Sequence, residues 1–187
     1  CFLDDDAVPE SEWLPRLCAV FAQSEQILCA GGTIIPEYEA KPPRWFDKKC
    51  EGIFKPTFKH PVLHSTSYPH YPYGANFAVK ASAFRIIGNF DTQLGYSGSG
   101  LIPGEETDFL RRIELAGYQI MVDPNAVVRH VIPAGRLTKD YFDKRTYSQG
   151  RCDAILHWRF NENSMPVDWE HRLWGLSRSV VRLAMAY

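Results

Sequence analysis

Three consecutive aspartates, Asp4, Asp5 and Asp6, follow a short apolar stretch that reads as the end of a strand. Adjacent carboxylates repel one another, so the run must be well hydrated or neutralised by a cation. Mg²⁺ binds through one or two carboxylates together with substrate phosphates, and ligands of open α/β sheets collect at the carboxyl ends of strands. The run therefore predicts a metal and phosphate site. The alternative is an acidic turn in which Asp6 or Ser11 caps the next helix.

A second acidic group, GEETD at 104–108, stands at the start of a predicted helix over 105–116. Acids favour helix N-termini, and Asp108 with Arg112 forms an i,i+4 pair. Glu105 shares that helical face, whereas Glu106 is rotated away by roughly 100°. This rotation predicts that Glu106 points into a cleft, where its carboxylate could act as a general base. The alternative is an acidic first turn that only stabilises the helix.

A single histidine, His130, lies in a predicted strand over 126–132. It is a candidate metal ligand, although a strand histidine is more often packed or hydrogen-bonded without a metal. A last predicted helix over 169–187 has an apolar stripe and several arginines. It is either an ordinary packed helix or an interfacial helix that contacts anionic lipid.

The elements that must position these side chains alternate between helices and strands, which predicts an α/β fold. Residues 36–72 form a long irregular excursion of the kind that often carries binding residues, and 89–103 form a glycine-rich loop. A break at Gly150 in the fourth helix is left open. The predicted helices are 9–24, 81–87, 105–116, 138–160 and 169–187, and the predicted strands are 26–35, 75–80, 118–122 and 126–132.

Composition narrows the function classes. A chain of 187 residues with 45% hydrophobic and 23% charged residues is typical of one globular domain, which excludes disorder, collagen and coiled coil. The net charge of −1 argues against a general nucleic-acid binder. Five cysteines without a CxxC pair argue against a disulfide scaffold or a structural zinc site, and they favour a reducing cytoplasm.

Taken together, the motifs resemble those of the family 2 glycosyltransferases, which have the GT-A fold. The resemblance covers about residues 1–150, and the ordered set is more specific than any single motif. The matching segments are FLDDDAVP at 2–9 followed by Trp13 and Leu14, Gly31-Gly32 with Pro36, GANFA at 74–78, G-x-FD-x-x-LG at 88–95, GEETD with Arg112, Gly117-Tyr118, and P-x-A-x-V-x-H at 124–130.

The resemblance implies a GT-A-like mixed sheet flanked by helices, of which this chain would hold the C-terminal portion, ending in an amphipathic helix. Residues 1–160 would form the catalytic domain and 161–187 a helical extension. The nucleotide-binding half that precedes the aspartates in the family is expected to be missing.

The resemblance also implies a role for each matching residue. Asp6 and His130 would hold Mg²⁺ or Mn²⁺. Glu106 would be the catalytic base, with Glu105 as its catalytic neighbour, although the family commonly has aspartate at the base position. The donor-binding residues would be Asp4, Asp5, Gly74, Asn76 and Arg136.

The implied activity is a metal-dependent, inverting transfer of a sugar from a UDP-, GDP- or dTDP-linked donor to a carbohydrate or lipid-linked acceptor. This activity belongs to cell-wall or polysaccharide biosynthesis. The protein would be cytoplasmic, with peripheral contact to the inner face of the membrane through 169–187 and without a nucleic-acid partner. Two alternatives stay open: a truncated or inactive transferase-like binding domain, and a haloacid-dehalogenase-type phosphatase, whose DxDx(T/V) opening residues 4–8 match.

Overall fold

The computed structural model describes residues 1–47, 50–56, 58, 60–97 and 100–160. The predicted last helix over 169–187 and the extension 161–187 lie outside these residues. Within the described part the helices are α1 (Trp13–Phe21), α2 (Ala81–Ile87), α3 (Glu105–Leu115) and α4 (Lys139–Phe160). The strands are β1 (Ala7–Pro9), β2 (Ile27–Tyr38), β3 (His64–Thr66), β4 (Phe77–Val79), β5 (Gly95–Ser97), β6 (Gly100–Ile102) and β7 (Gln119–Ile132). Short 3₁₀ turns are Cys50–Ile53, Gly74–Asn76 and Ala134–Leu137.

The main sheet is mixed and is built around β7. Its strand order is β1-β7-β2-β4, and β3 also pairs with β7. β7 runs parallel to β2 and antiparallel to β1 and β3. β5 and β6 form a separate two-stranded hairpin. The predicted fold class, a mixed α/β sheet flanked by helices, is confirmed.

Two layers of helices cover the sheet because its strands are apolar on both faces. Ala30 and Ala78 are paired on β2 and β4 and belong to the cluster that α1 buries with Trp13, Leu17 and Val20. Cys29 and Phe77 point to the opposite face and pack with the buried face of α3. Period-two alternation along a strand sends consecutive side chains to opposite faces, so each strand contributes to both clusters.

β7 is one strand where the sequence predicted two, 118–122 and 126–132. Its pairing with β2 shifts register between Gly32 and Ile34, where Asp123 and Val128 are the partners on β7. The side chain of Thr33 donates to the Pro124 carbonyl at 2.8 Å. Because side chains satisfy the carbonyls of the irregular stretch, the proline interrupts the ladder without ending the strand.

Other predicted boundaries also change. Helix α1 begins at Trp13 rather than at residue 9, because residues 7–9 pair in β1. Neither Asp6 nor Ser11 caps α1: Glu12 is the N-cap residue and makes no side-chain cap hydrogen bond. Residues 1–3 contribute only an isolated bridge between Phe2 and Phe77 rather than a strand end.

The predicted loop over 89–103 contains the β5–β6 hairpin, and the excursion over 36–72 contains the end of β2, a 3₁₀ turn and β3. α2 has the predicted bounds, and α3 and α4 differ from theirs by one residue at one end. α4 continues through Gly150 without a break. None of the described helices combines the length and the apolar character that a membrane-spanning helix needs.

Candidate active site

Two aspartates and a histidine meet at the β1–β7 edge. Antiparallel pairing sets Ala7 opposite His130, and the Val131 amide donates to the Asp6 carbonyl at 2.9 Å. This register brings Asp4, Asp6 and His130 together, with one potential ligand atom from each within 4.8 Å of the others. Asp6 Oδ1 lies 2.9 Å from His130 Nε2, and Asp4 Oδ2 lies 3.9 Å from it.

The donor set fits a divalent cation. The His130 side chain is 9% exposed, and neither of its ring nitrogens makes a hydrogen bond within the described part of the chain. A buried imidazole without a hydrogen bond is costly, and a metal ion would satisfy it. Carboxylates suit Mg²⁺ and Mn²⁺, and imidazole suits several transition metals. Burial raises the pKa of Asp4, with His130 opposing and Asp6 adding to the rise.

Arg136 and Asp5 occupy different places beside this cluster. The 3₁₀ turn after β7 carries Arg136, whose Nη2 lies 3.2 Å from Asp6 Oδ2. A guanidinium next to a cation site is well placed for a phosphate oxygen. Asp5 is exposed between its two neighbours. The donor-binding roles of both residues stay predictions.

Glu106 lies in the first turn of α3. Its carboxylate lies so close to Gly74 that a Cβ at position 74 would collide with it. Burial raises the pKa of Glu106 to about 7, Glu105 and Asp4 add to the rise by repulsion, and Arg145 opposes it. Asp4 lies close enough to Glu106 for its charge to contribute to this rise. A carboxyl with a pKa near the working pH suits a general base.

Glu105 has a different environment from its neighbour. Its Oε2 accepts a hydrogen bond from the Gly104 amide at 3.0 Å, and its carboxylate packs against Gly95. Gly95 has φ of +100° and Gly104 has φ of +121°, values that L side chains rarely adopt. Glu105 therefore braces the turn between β5–β6 and α3, and its predicted catalytic role stays a prediction.

Asn76 was predicted to bind the donor, but its side chain is fully buried. Its Oδ1 accepts from Trp13 Nε1 at 2.7 Å, and its Nδ2 donates to the carbonyls of Thr33 and Ala126 at 2.8 and 2.9 Å. All of its N–H groups are thus engaged inside the protein. This placement corrects the prediction: Asn76 ties α1, β2 and β7 together instead of facing a donor.

Sequence reasoning did not include Arg145 or Arg159 among the site residues. Arg145 lies on α4 and is the cation that acts on Glu106. Arg159 lies at the end of α4, where it binds Asp108 and Asp91. Both are far from Glu106 in sequence, and no spacing rule links them to it. Asp108 was the one signal in the sequence that pointed to Arg159, but it was predicted to pair only with Arg112.

No family model matches the chain. Among solved structures, the crystal structure of GalNAc-T7 with UDP, GalNAc and Mn²⁺ aligns with a TM-score of 0.46 at 14% identity, covering 97% of this chain and 40% of that one.

Two curated relatives are similar in sequence. A glucosyl-dolichyl phosphate glucuronosyltransferase of Haloferax volcanii is 26% identical over 155 residues, which are 82% of this chain and 49% of that protein. The succinoglycan biosynthesis protein ExoM of Rhizobium meliloti is 30% identical over 156 residues, which are 83% and 47%. The chain thus spans about half the length of the curated relatives it matches. The predicted resemblance to the glycosyltransferases is confirmed by these relatives.

Proposed function

We propose that this chain carries the metal site and the catalytic base of a family 2, inverting glycosyltransferase with a nucleotide-sugar donor. The observation that carries the proposal is the cluster of Asp4, Asp6 and His130, together with the influence of Asp4 on the pKa of Glu106. The two aspartates lie in the turn before β1, His130 lies on β7 and Glu106 lies on α3, so the residues are more than 100 positions apart at the extremes. A site that can bind a cation, next to a carboxyl of raised pKa, would supply the two functions that the transfer needs: stabilisation of the leaving diphosphate and removal of a proton.

Asp4, Asp6 and His130 would hold Mg²⁺ or Mn²⁺, which when bound supplies positive charge for the diphosphate of the donor. Arg136 adds a second cation next to Asp6. Its planar guanidinium can bind a phosphate through two parallel hydrogen bonds. Together these residues would orient the donor and favour departure of the nucleoside diphosphate.

Glu106 would accept the proton of the acceptor hydroxyl. The hydroxyl oxygen forms a bond to the anomeric carbon while the bond from that carbon to the diphosphate oxygen breaks, which inverts the anomeric configuration. With its pKa at about 7, Glu106 is substantially ionised at neutral pH and is still basic enough to take the proton. For this step the carboxylate must come within about 3 Å of the hydroxyl.

The relatives suggest the acceptor class. One is named for glucuronosyl transfer to glucosyl-dolichyl phosphate and the other for succinoglycan biosynthesis. We therefore propose a lipid-linked or polysaccharide acceptor. A cytoplasmic location with peripheral membrane contact through 169–187 remains part of the proposal, although that segment lies outside the described residues.

The test is thermal unfolding of the purified chain with UDP, GDP, CDP and dTDP, each with and without Mn²⁺. We expect one nucleotide to raise the Tm only when Mn²⁺ is present, and the Asp6→Ala variant to lose this rise. Asp140→Ala is the matched control, because Asp140 is exposed on α4 and pairs only with Lys144 among the described residues. If Asp6→Ala keeps the full metal-dependent rise, Asp6 is not a ligand and the proposed site is wrong.

The alternative is a transferase-like binding domain without activity, and the same experiment tests it. It would fold but bind no nucleotide, and no nucleotide would raise its Tm with or without Mn²⁺. The phosphatase alternative has no support from the relatives, both of which are named for sugar chemistry.

A further inference from the structure

We infer that Arg159 is a positioning residue for the catalytic base: by binding Asp108, it fixes α3 so that Glu106 stays against Gly74. The inference rests on the proposed function of Glu106. It assigns no contact between Arg159 and a substrate.

Asp108 is the centre of this arrangement. Its side chain is 1% exposed, and both carboxylate oxygens accept hydrogen bonds from arginines. Arg112 Nε donates to Oδ2 at 2.9 Å, and Arg159 Nη1 donates to Oδ1 at 2.7 Å. Removing one partner of a buried ion pair leaves charge without compensation, which is far more costly than losing an exposed pair. The position of α3 therefore depends on both arginines.

The two arginines also connect α3 to its surroundings. Arg112 donates to the carbonyls of Ile87 and Asn89 at 2.8 and 2.9 Å. Arg159 lies 2.7 Å from Asp91 Oδ2, so it bridges Asp91 and Asp108. The end of α2, the following loop, α3 and α4 thus meet at one buried carboxylate.

A second contact holds the other side of Glu106. The buried Cys152 of α4 packs against Gly104, where a Cβ would collide with the Cys152 sulfur. Cys152 lies about two turns before Arg159 on α4. Gly104 and Asp108 lie on either side of Glu106 in the chain, so α4 contacts the start of α3 both before and after the base. Without the Arg159 contact, only the packing of Cys152 against Gly104 remains of these two contacts.

The decisive readout is the pKa of Glu106, which depends on its position rather than on overall stability. In the wild-type chain burial is the largest cause of the raised pKa of Glu106, about 7, and the charges of Glu105, Asp4 and Arg145 contribute to it. If Arg159→Gln releases α3, water reaches the carboxylate. The pKa of Glu106 should then fall toward its ordinary value of 4.5. Carbon-13 NMR titration of the glutamate carboxyl groups, with Glu106→Gln for assignment, measures this pKa.

Kinetics gives the second readout in the same variants. A misplaced base lowers kcat on the order of tenfold or more, whereas the KM for the donor should stay unchanged because the metal site is intact. Arg159→Lys keeps the charge and should recover part of the loss. Arg151→Gln is the control, because Arg151 is exposed on the same helix.

A folded Arg159→Gln chain with the wild-type pKa of Glu106 and the wild-type kcat would overturn the inference. If Arg159→Gln does not fold, Arg159→Lys decides, since it keeps the charge but loses the planar guanidinium that bridges Asp91 and Asp108. A folded Arg159→Lys chain with the wild-type pKa of Glu106 and the wild-type kcat also overturns it. Failure of the proposed function looks different: the wild-type chain would transfer no sugar, while the NMR titration would still test the position of Glu106.

Discussion

At the scale of single residues, the chain has glutamate where the resemblance implies that aspartate is common, and the structure shows the space that the longer side chain occupies. The carboxylate of Glu106 reaches across to Gly74, whose missing side chain leaves the space that it occupies. We expect Glu106→Gln to abolish sugar transfer, because an amide cannot accept the proton, and to leave Mn²⁺-dependent nucleotide binding intact. Transfer assays and nucleotide titrations measure the two effects separately. Full transfer by the variant would show that another group is the base.

The same side chain should make stability depend on pH. The pKa of Glu106 is raised to about 7 in the folded chain, mainly by burial, from an ordinary value of 4.5. The folded state therefore favours the protonated form, and the stabilisation is present below pH 4.5 and lost as the pH rises through 7. Glu106→Gln does not titrate and lacks this loss. We expect the Tm of the variant, relative to wild type, to rise between pH 4.5 and 8. A constant difference over this range would contradict the raised pKa.

Residue types alone predicted part of the site. The run of aspartates predicted a cation site, and Asp4 and Asp6 do lie together with His130. The catalytic role predicted for Glu106 from its rotation away from the ion-pair face stays a prediction. Residue types could not show that Asn76 is fully buried. A polar residue in a GAN motif gives no sign of burial, because its partners Trp13, Thr33 and Ala126 are distant in sequence.

At the scale of elements, the turn Gly74–Asn76 and the start of α3 form one unit, since the first supplies the space and the second the carboxylate. We expect Gly74→Ala to displace Glu106 and lower the transfer rate on the order of a hundredfold, as misplacement by about 1 Å does in other enzymes. Gly52→Ala is the matched control, because Gly52 also lies in a 3₁₀ turn and a Cβ there meets no atom within 4 Å. Equal rates in the two variants would show that Gly74 is not needed for this packing.

Local patterns predicted the helices better than the strands. The bounds of α2, α3 and α4 agree with the predicted ones within one residue at each end, because glycine or proline lies near most of these helix ends. β7 looked like two strands because Asp123 and Pro124 interrupt it. The hairpin of β5 and β6 was read as a loop because a glycine-rich stretch shows no alternation.

At the scale of the whole molecule, the Asp4, Asp6 and His130 cluster depends on pairing between two strands that are far apart in the sequence. The antiparallel pairing of β1 with β7 sets residues 7–9 against 128–130. Neither propensity nor periodicity specifies this pairing or its register, and a slip by one residue would turn His130 to the other face of the sheet. The resemblance to a known family, rather than local pattern, gave the expectation that these residues meet.

A cation bound between β1 and β7 should therefore stabilise the whole fold and not only the site. Binding to the folded state alone raises the free energy of unfolding by about 2.7 kcal/mol when the free ion is at a hundred times its Kd. We expect Mn²⁺ without nucleotide to raise the Tm in a concentration-dependent way and to fail to do so in His130→Gln. That variant keeps a neutral polar side chain of similar reach but loses the imidazole that has no hydrogen bond among the described residues. Because Asp140→Ala leaves the cluster untouched, it should respond as wild type does. An equal rise in His130→Gln would mean that the ion binds elsewhere, and the metal would then have no part in joining the two ends of the sheet.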